Sequence, residues 1–204
     1  MIYLTASIVS FLIFCFYTYI VHLDIFNRWD LASTIFIQKI IPINFDPMLS
    51  VFSLLGSFEI TIIILIGLLL IHRKLSHIII IGIFGFAHVI EIMGKTYLHH
   101  PGPPYEFFRY DLDFLFPSTG VQPGSAYPSG HSMRSVFLAI LIAVMIWRSK
   151  KLSSTMKVVY SSLLGILLLI MLISRVSLGE HWSTDVLGGA LLAFSAACLS
   201  ILFL

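Results

Sequence analysis

Two histidines stand where hydrophobic runs begin, each inside a short polar signature: Pro128-Ser129-Gly130-His131, and Ser174-Arg175 followed by His181 and Asp185. His181 and Asp185 are four residues apart and therefore share one face of a helix. The carboxylate can hold one imidazole nitrogen as N–H, which leaves the other as a directed nucleophile. His131, arriving from a different segment, can protonate a leaving oxygen as a general acid. Ser129 is a good N-cap, and Gly130 lets an anion approach the free backbone N–H groups of a first helical turn. Lys95 and Arg175 supply the positive charge that stabilises transferring phosphoryl oxygens. Together these residue types point to phosphate chemistry.

Composition determines what must carry them. The chain has 204 residues, of which 58% are hydrophobic and 11% charged, with a mean hydropathy of +1.00. Soluble domains carry about 25% charged residues, so the expected fold class is all-α, a polytopic membrane protein. The net charge of +2 and the lack of a basic run exclude a nucleic-acid partner. Cys15 and Cys198 lie inside hydrophobic runs and read as buried thiols. No charged region precedes the first apolar run, so that run reads as a retained helix and not a cleaved signal.

Segments of roughly 20 apolar residues can span a bilayer. Six qualify: residues 2–21, 49–71, 77–98, 129–147, 158–174 and 182–204. The basic turns His72-Arg73-Lys74 and Arg148 to Lys157 are expected to face the cytoplasm, with both termini. Lys95, Ser129 to His131, Arg175 and His181 then meet at one membrane level, on the outer side. Ionisable groups there are costly to place, so their convergence calls for a function. Residues 24–48, with Trp29, Asp30, Ile35 and Lys39, read as an interfacial amphipathic helix ended by Pro42 and Pro47. Residues 99–128 form a long outer loop. Its aromatics (Tyr105, Phe107, Phe108, Tyr110, Phe114 and Phe116) suit either an anchoring belt or a lid over a lipid headgroup. Without repeats or linkers, residues 1–204 read as one domain.

The signatures resemble the type-2 phosphatidic acid phosphatase superfamily, the integral-membrane lipid phosphate phosphatases. The second motif of that family stands intact at Pro128 to His131, and the third at Ser174, Arg175, His181 and Asp185. Leu178 to Trp182 and Asp185 to Gly189 also look typical. The resemblance implies metal- and cofactor-independent hydrolysis through a phosphohistidine on His181, with His131 as acid and Asp185 orienting the nucleophile. The first motif, Lys, six residues, Arg-Pro, departs: counting from Lys95 puts Gly102 at the arginine, with Pro103 matching. Two residues can replace the missing cation. His100 does so if the loop is shorter by two; Arg134 lies three residues past His131 on the same helical face. Arg134 also has a structural alternative, a buried pair with Glu59 or Glu91. Glu91, four before Lys95, is expected to position that lysine. Glu59 is expected near mid-bilayer, with His88 or Arg134 as partner.

The expected substrate is a lipid phosphate or diphosphate: a polyprenyl diphosphate such as undecaprenyl diphosphate, phosphatidic acid or phosphatidylglycerol phosphate. A phosphotransferase would use the same site with a lipid acceptor. A metal-dependent hydrolase would use His99, His100, His131 and His181, but their spacing lacks a compact pair on one helix. A non-catalytic lipid-phosphate binder or transporter is the remaining class, motivated by the altered first motif.

Overall fold

The computed structural model describes residues 1–72, 74–109 and 125–204. Arg73 and the loop aromatics Tyr110, Phe114 and Phe116 lie outside the described residues. Among those described, eight helices run in chain order: α1 Ile2–His22, α2 Asn27–Ile40, α3 Asp46–Ser53, α4 Phe58–His72, α5 His77–Tyr97, α6 Gly130–Arg148, α7 Ser154–Ser177 and α8 Ser183–Ser200. Short 3-10 turns occupy Ile43–Phe45, Leu54–Gly56 and Tyr105–Phe107. α1, α5, α6, α7 and α8 are each long and apolar enough to cross a membrane, and they fall on five of the six expected spans. The fold is all-α and multi-pass.

The helix starts are legible as local chemistry. Ser129 caps α6 by accepting from the Ser132 N–H, and Ser153 caps α7 by accepting from Met156. Asp185, in the first turn of α8, accepts from the Trp182 N–H at 2.9 Å. Each satisfies a donor that a helix start leaves without an intrahelical partner.

α8 is the central post, packed most extensively against α6 and α1. Phe84 of α5, Phe137 and Leu141 of α6 and Leu192 of α8 belong to one buried apolar core. Gly189 lets α8 approach the start of α6: a Cβ there would lie 2.3 Å from the Ser129 carbonyl oxygen. Small residues at such crossings allow close backbone packing, on which membrane helices depend. Far from His181, the Ser195 hydroxyl donates to the Ser7 carbonyl at 2.9 Å. Lys74 donates to the Leu204 carbonyl, and Ser76 to that of Phe203. Both chain ends and the Lys74 turn therefore lie at the end of the bundle away from His181.

Three expectations are corrected. The second span, 49–71, is not one helix: α3 and a 3-10 turn precede α4, which begins only at Phe58. α4 has 15 residues, roughly 22 Å at a rise of 1.5 Å per residue. It still runs from the level of the site to the Lys74 end. Glu59 accordingly stands in the first turn of α4 and not ten residues into a span. The reason is tertiary, since the Gly56 carbonyl accepts from the Arg134 Nε at 2.7 Å and holds the chain out of a continuous helix. Second, Pro47 does not end the interfacial segment but occupies the first turn of α3, where its missing N–H costs nothing. α2 and the Ile43–Gly56 segment meet at 85°. Third, Cys15 is exposed on the outside of α1, whereas Cys198 is buried.

α2 is amphipathic in an unexpected sense. Its buried residues are Asp30 and Thr34, while Trp29, Ile35, Phe36 and Ile40 are exposed. Polar groups turn inward and apolar ones outward, as suits a helix whose outer face meets lipid.

Candidate active site

The two polar signatures are stitched together by backbone. The Ser129 N–H donates to the Asp185 carbonyl at 3.0 Å, and the Ser132 hydroxyl to the Val186 carbonyl at 2.6 Å. The starts of α6 and α8 are thereby locked side by side, with His131 on one and the His181–Asp185 pair on the other. Residues far apart in sequence become one cluster because the glycine contact at Gly189 lets these two starts touch.

His181 precedes α8 and is buried. Its Nδ1 lies 3.3 Å from Asp185 Oδ2. Asp185 is fully buried, and the same oxygen also accepts the Trp182 N–H. The carboxylate is acceptor-only when ionised, so Nδ1 carries the proton and Nε2 presents its lone pair. Burial pushes the His181 imidazole well below its ordinary value, and Arg175, Lys95 and Arg134 push the same way. The ring is therefore neutral near pH 7.

Arg175, Arg134, Lys95 and His181 all lie close enough to His131 to act on it electrostatically. Lys95, at the end of α5, donates to Glu91 Oε1 at 2.8 Å. Glu91 Oε2 faces Arg134 Nη1 at 3.4 Å, so one carboxylate bridges two cations on different helices. Of the alternatives for Arg134, the Glu91 pair is thus formed, while the guanidinium also lies within the cluster. His88 bonds through Nδ1 to the Phe84 carbonyl, and Glu59 lies close enough to Arg134 to act on it electrostatically.

Gly130 is required for close approach. A Cβ there would come within 1.9 Å of Glu91 Oε1 and 2.8 Å of Arg134 Nη1. The carboxylate sitting over the start of α6 is that of Glu91, a reason for glycine that spacing did not supply. Ser129 is fully buried and its hydroxyl serves as the α6 cap.

Arg175 is buried at the end of α7. Its Nη1 donates to Glu180 Oε1 at 2.9 Å, and the fork is completed by Nη2 to Oε2 and by a bond to the Ser53 hydroxyl. Its own carbonyl accepts the N–H groups of Glu180 and His181, each at 3.1 Å. The Arg175 backbone therefore helps to place the His181 ring.

His100 lies against the start of α8. Its Nε2 lies 3.4 Å from Asp185 Oδ1 and 3.4 Å from Thr184 Oγ1, so it stands on the opposite carboxylate oxygen from His181. It is buried and is not among the cations around His131 and His181. Trp182 Nε1 donates to the Pro101 carbonyl at 2.9 Å, which ties the loop to the start of α8. Among the described residues, no group of three or more His, Cys, Asp or Glu side chains is arranged to hold a metal ion.

Sequence reasoning missed several residues at this end. Asp30 accepts from the Thr184 N–H at 2.9 Å and from its hydroxyl at 2.6 Å, so α2 docks through its polar face. Arg109 donates to the carbonyls of Ile41 and Gln38 and strings the outer loop to the end of α2. Gln38 donates to the carbonyls of Phe107 and Ser177. The one available signal was Asp30 itself, an acid in a segment otherwise suited to the bilayer edge. Of the described loop aromatics, Phe107 packs on Trp182, while Tyr105 is largely exposed and stacks with Phe108.

The chain is thus a multi-pass helical bundle with a histidine–carboxylate pair, a second histidine and three cations gathered at one end. The chain belongs to the PAP2 superfamily, whose family model matches residues 73–204. It is similar to phosphatidylglycerophosphatase B of Bacillus subtilis (strain 168), with 27% identity over 136 residues, 66% of this chain and 62% of that protein. The aligned stretch thus spans less than two thirds of that relative's length. The fold is similar to the crystal structure of a transmembrane PAP2-type phosphatidylglycerolphosphate phosphatase from Bacillus subtilis, with a TM-score of 0.75 and 22% identity, covering 97% of this chain and 95% of that one. Aquifex aeolicus LpxE is similar with a TM-score of 0.60 and 24% identity, covering 84% and 93%.

Proposed function

We propose that this chain is a membrane lipid phosphatase that hydrolyses a phosphate or diphosphate headgroup through a phosphohistidine on His181. The observation that carries the reading is the His181 Nδ1 contact with buried Asp185 at 3.3 Å, which leaves Nε2 as a neutral nucleophile. Nε2 attacks phosphorus as the P–O bond to the lipid breaks, and His131, as the imidazolium that the charge of the bound phosphate would stabilise, gives its extra proton to the departing oxygen. Water then gives a proton to the neutral His131 as its oxygen attacks phosphorus and the N–P bond breaks, which releases inorganic phosphate and restores both rings. Lys95, Arg175 and Arg134 would hold the phosphoryl oxygens, together with the start of α6 at Ser129 and Gly130. Arg134 then supplies the charge that Gly102 lacks, and Glu91 spaces it from Lys95. Glu180 would share Arg175 with the incoming phosphate.

The named relatives favour phosphatidylglycerol phosphate as substrate, ahead of phosphatidic acid and polyprenyl diphosphate. The positive-inside rule, applied to the Lys74 turn and to Lys150, Lys151 and Lys157, supports cytoplasmic termini and a site on the outer face. Phosphate release from these three lipids, measured in detergent with a chelator present, tests the reading. Release by the parent protein and none by His181→Ala is the expected result. Silence across all three lipids, or equal release by His181→Ala, would refute it.

A further inference from the structure

Asp185 has two oxygens, and the catalytic reading uses only one. Oδ2 takes His181 Nδ1 and the Trp182 N–H. Oδ1 is buried and, among the described residues, forms no geometrically good hydrogen bond, yet His100 Nε2 lies 3.4 Å from it. The state of that imidazole follows from its other neighbour. The Thr184 hydroxyl spends its single proton on Asp30 Oδ2 at 2.6 Å, so toward His100 it can only accept. Both atoms facing Nε2 are therefore acceptors, and Nε2 must carry the proton.

The ring is held from several sides. Its backbone carbonyl accepts from the Ala126 N–H and the Ser125 hydroxyl, each at 3.0 Å. Its ring packs nearly perpendicular to that of Tyr127, with centroids 6.1 Å apart. Burial lowers its proton affinity, while Asp30 and Asp24 raise it and His99 lowers it.

We propose that His100 is a positioning residue for the His181–Asp185 pair: its Nε2–H holds the second oxygen of Asp185, and Asp30, acting through Thr184, holds His100. A fully buried carboxylate served on one oxygen alone is free to rotate or to take up a proton, and either event releases His181 Nδ1. With His100 in place the second oxygen is met and the carboxylate is held in plane. The histidine preceding Pro101 thus acts behind the nucleophile and not on the phosphate.

This rests on the reading of His181 as nucleophile, and one kinetic series separates the two. Phosphate release from phosphatidylglycerol phosphate in detergent is measured for the parent, His181→Ala, His100→Ala, His100→Gln, His100→Asn and His99→Ala. An inactive parent would count against the proposed function, not against this inference. With an active parent, His100→Ala is expected to lower kcat about 10- to 100-fold, the range for groups that orient a first ligand, with KM changed less than about twofold. His100→Gln, whose amide nitrogen matches Nε2, should recover most of the loss. His100→Asn, whose amide nitrogen falls short, should not, and exposed His99→Ala should match the parent. The acid limb of kcat/KM should also move in His100→Ala, because Asp185 no longer stays ionised to the same pH. A rise in KM at constant kcat would place His100 on the phosphate and overturn the inference, as would parental kcat in His100→Ala. If His100→Ala does not fold, the Gln and Asn pair decides: equal kcat values would overturn it.

Discussion

α7 and α8 follow one another in the chain and are opposites in the fold. Both are apolar enough to cross a membrane, yet only 6% of the α7 span is buried in the protein against 67% of α8. α7 is the more apolar of the two. The same inverse order holds for all five long spans: from α7 through α1, α5 and α6 to α8, mean hydropathy falls while burial rises. In water the opposite trend holds, because burial is driven by removing apolar surface from solvent. In lipid the tails are as apolar as leucine, so helices associate through close packing and polar contacts. Hydropathy therefore reports which helices face lipid. The least hydropathic span, α8, is the one that carries Asp185 and follows His181.

This contrast predicts where substitutions hurt. The largest effect is expected at the start of α8: His181→Ala should lower phosphate release more than about 1,000-fold, as removal of a nucleophile does elsewhere. Activity within tenfold of the parent would break the link between burial and chemistry. Next comes α6, the second most buried span. Arg134→Ala should lower kcat/KM about 100-fold, the usual cost of one donor to a developing anion, with release of phosphate from the lipid panel as readout. Unchanged activity and affinity in a folded protein would make Arg134 purely a structural partner of Glu91 and Gly56.

A pH series sharpens the same point. The buried His181 is held below its usual value, so the active neutral ring persists as pH falls below about 6.5 and is lost only at the lower folded value. The acid limb of kcat/KM, which reports the free enzyme, should therefore lie below about 6.5. The unfolded chain takes up its proton at about 6.5, so this group's contribution to stability is also lost as pH falls below that value. A limb at or above 6.5 would mean that His181 is solvated.

The smallest effect is expected on α7. Leu169→Ala, on an exposed face, should shift the melting temperature in detergent little, within about 0.5 kcal/mol. Leu192→Ala, buried in α8, should cost about 2 kcal/mol or more through the cavity it leaves. Equal shifts would erase the contrast between the two helices.

The same physics explains what could be read from the sequence. Five spans were legible because each is a continuous apolar run bounded by a polar or basic residue. Ser129, Gly130, His131, Arg175, His181 and Asp185 were legible as candidates because their spacing is local, to the start of α6 and to the turn from the end of α7 into α8. The break before Phe58 was not, since residues 49–71 are apolar enough to read as one span despite Ser53, Gly56, Ser57 and Glu59, and the bond that holds the chain there comes from Arg134, 78 residues away. Asp30 and Thr184 were missed for a similar reason: their bond joins α2 to α8 across 154 residues. His100 was singled out by its spacing from Lys95, but its 3.4 Å approach to Asp185 Oδ1 joins residues 85 positions apart and no spacing rule shows it.

The central claim is that His181 becomes covalently phosphorylated. Protein mixed with a lipid phosphate labelled on phosphorus, quenched in alkali within the first turnover and digested, tests it by mass spectrometry. An acid-labile, alkali-stable phosphate is expected on the peptide containing His181 and is expected to be absent in His181→Ala. Label on another residue, or steady phosphate release with no labelled histidine at any quench time, would contradict it.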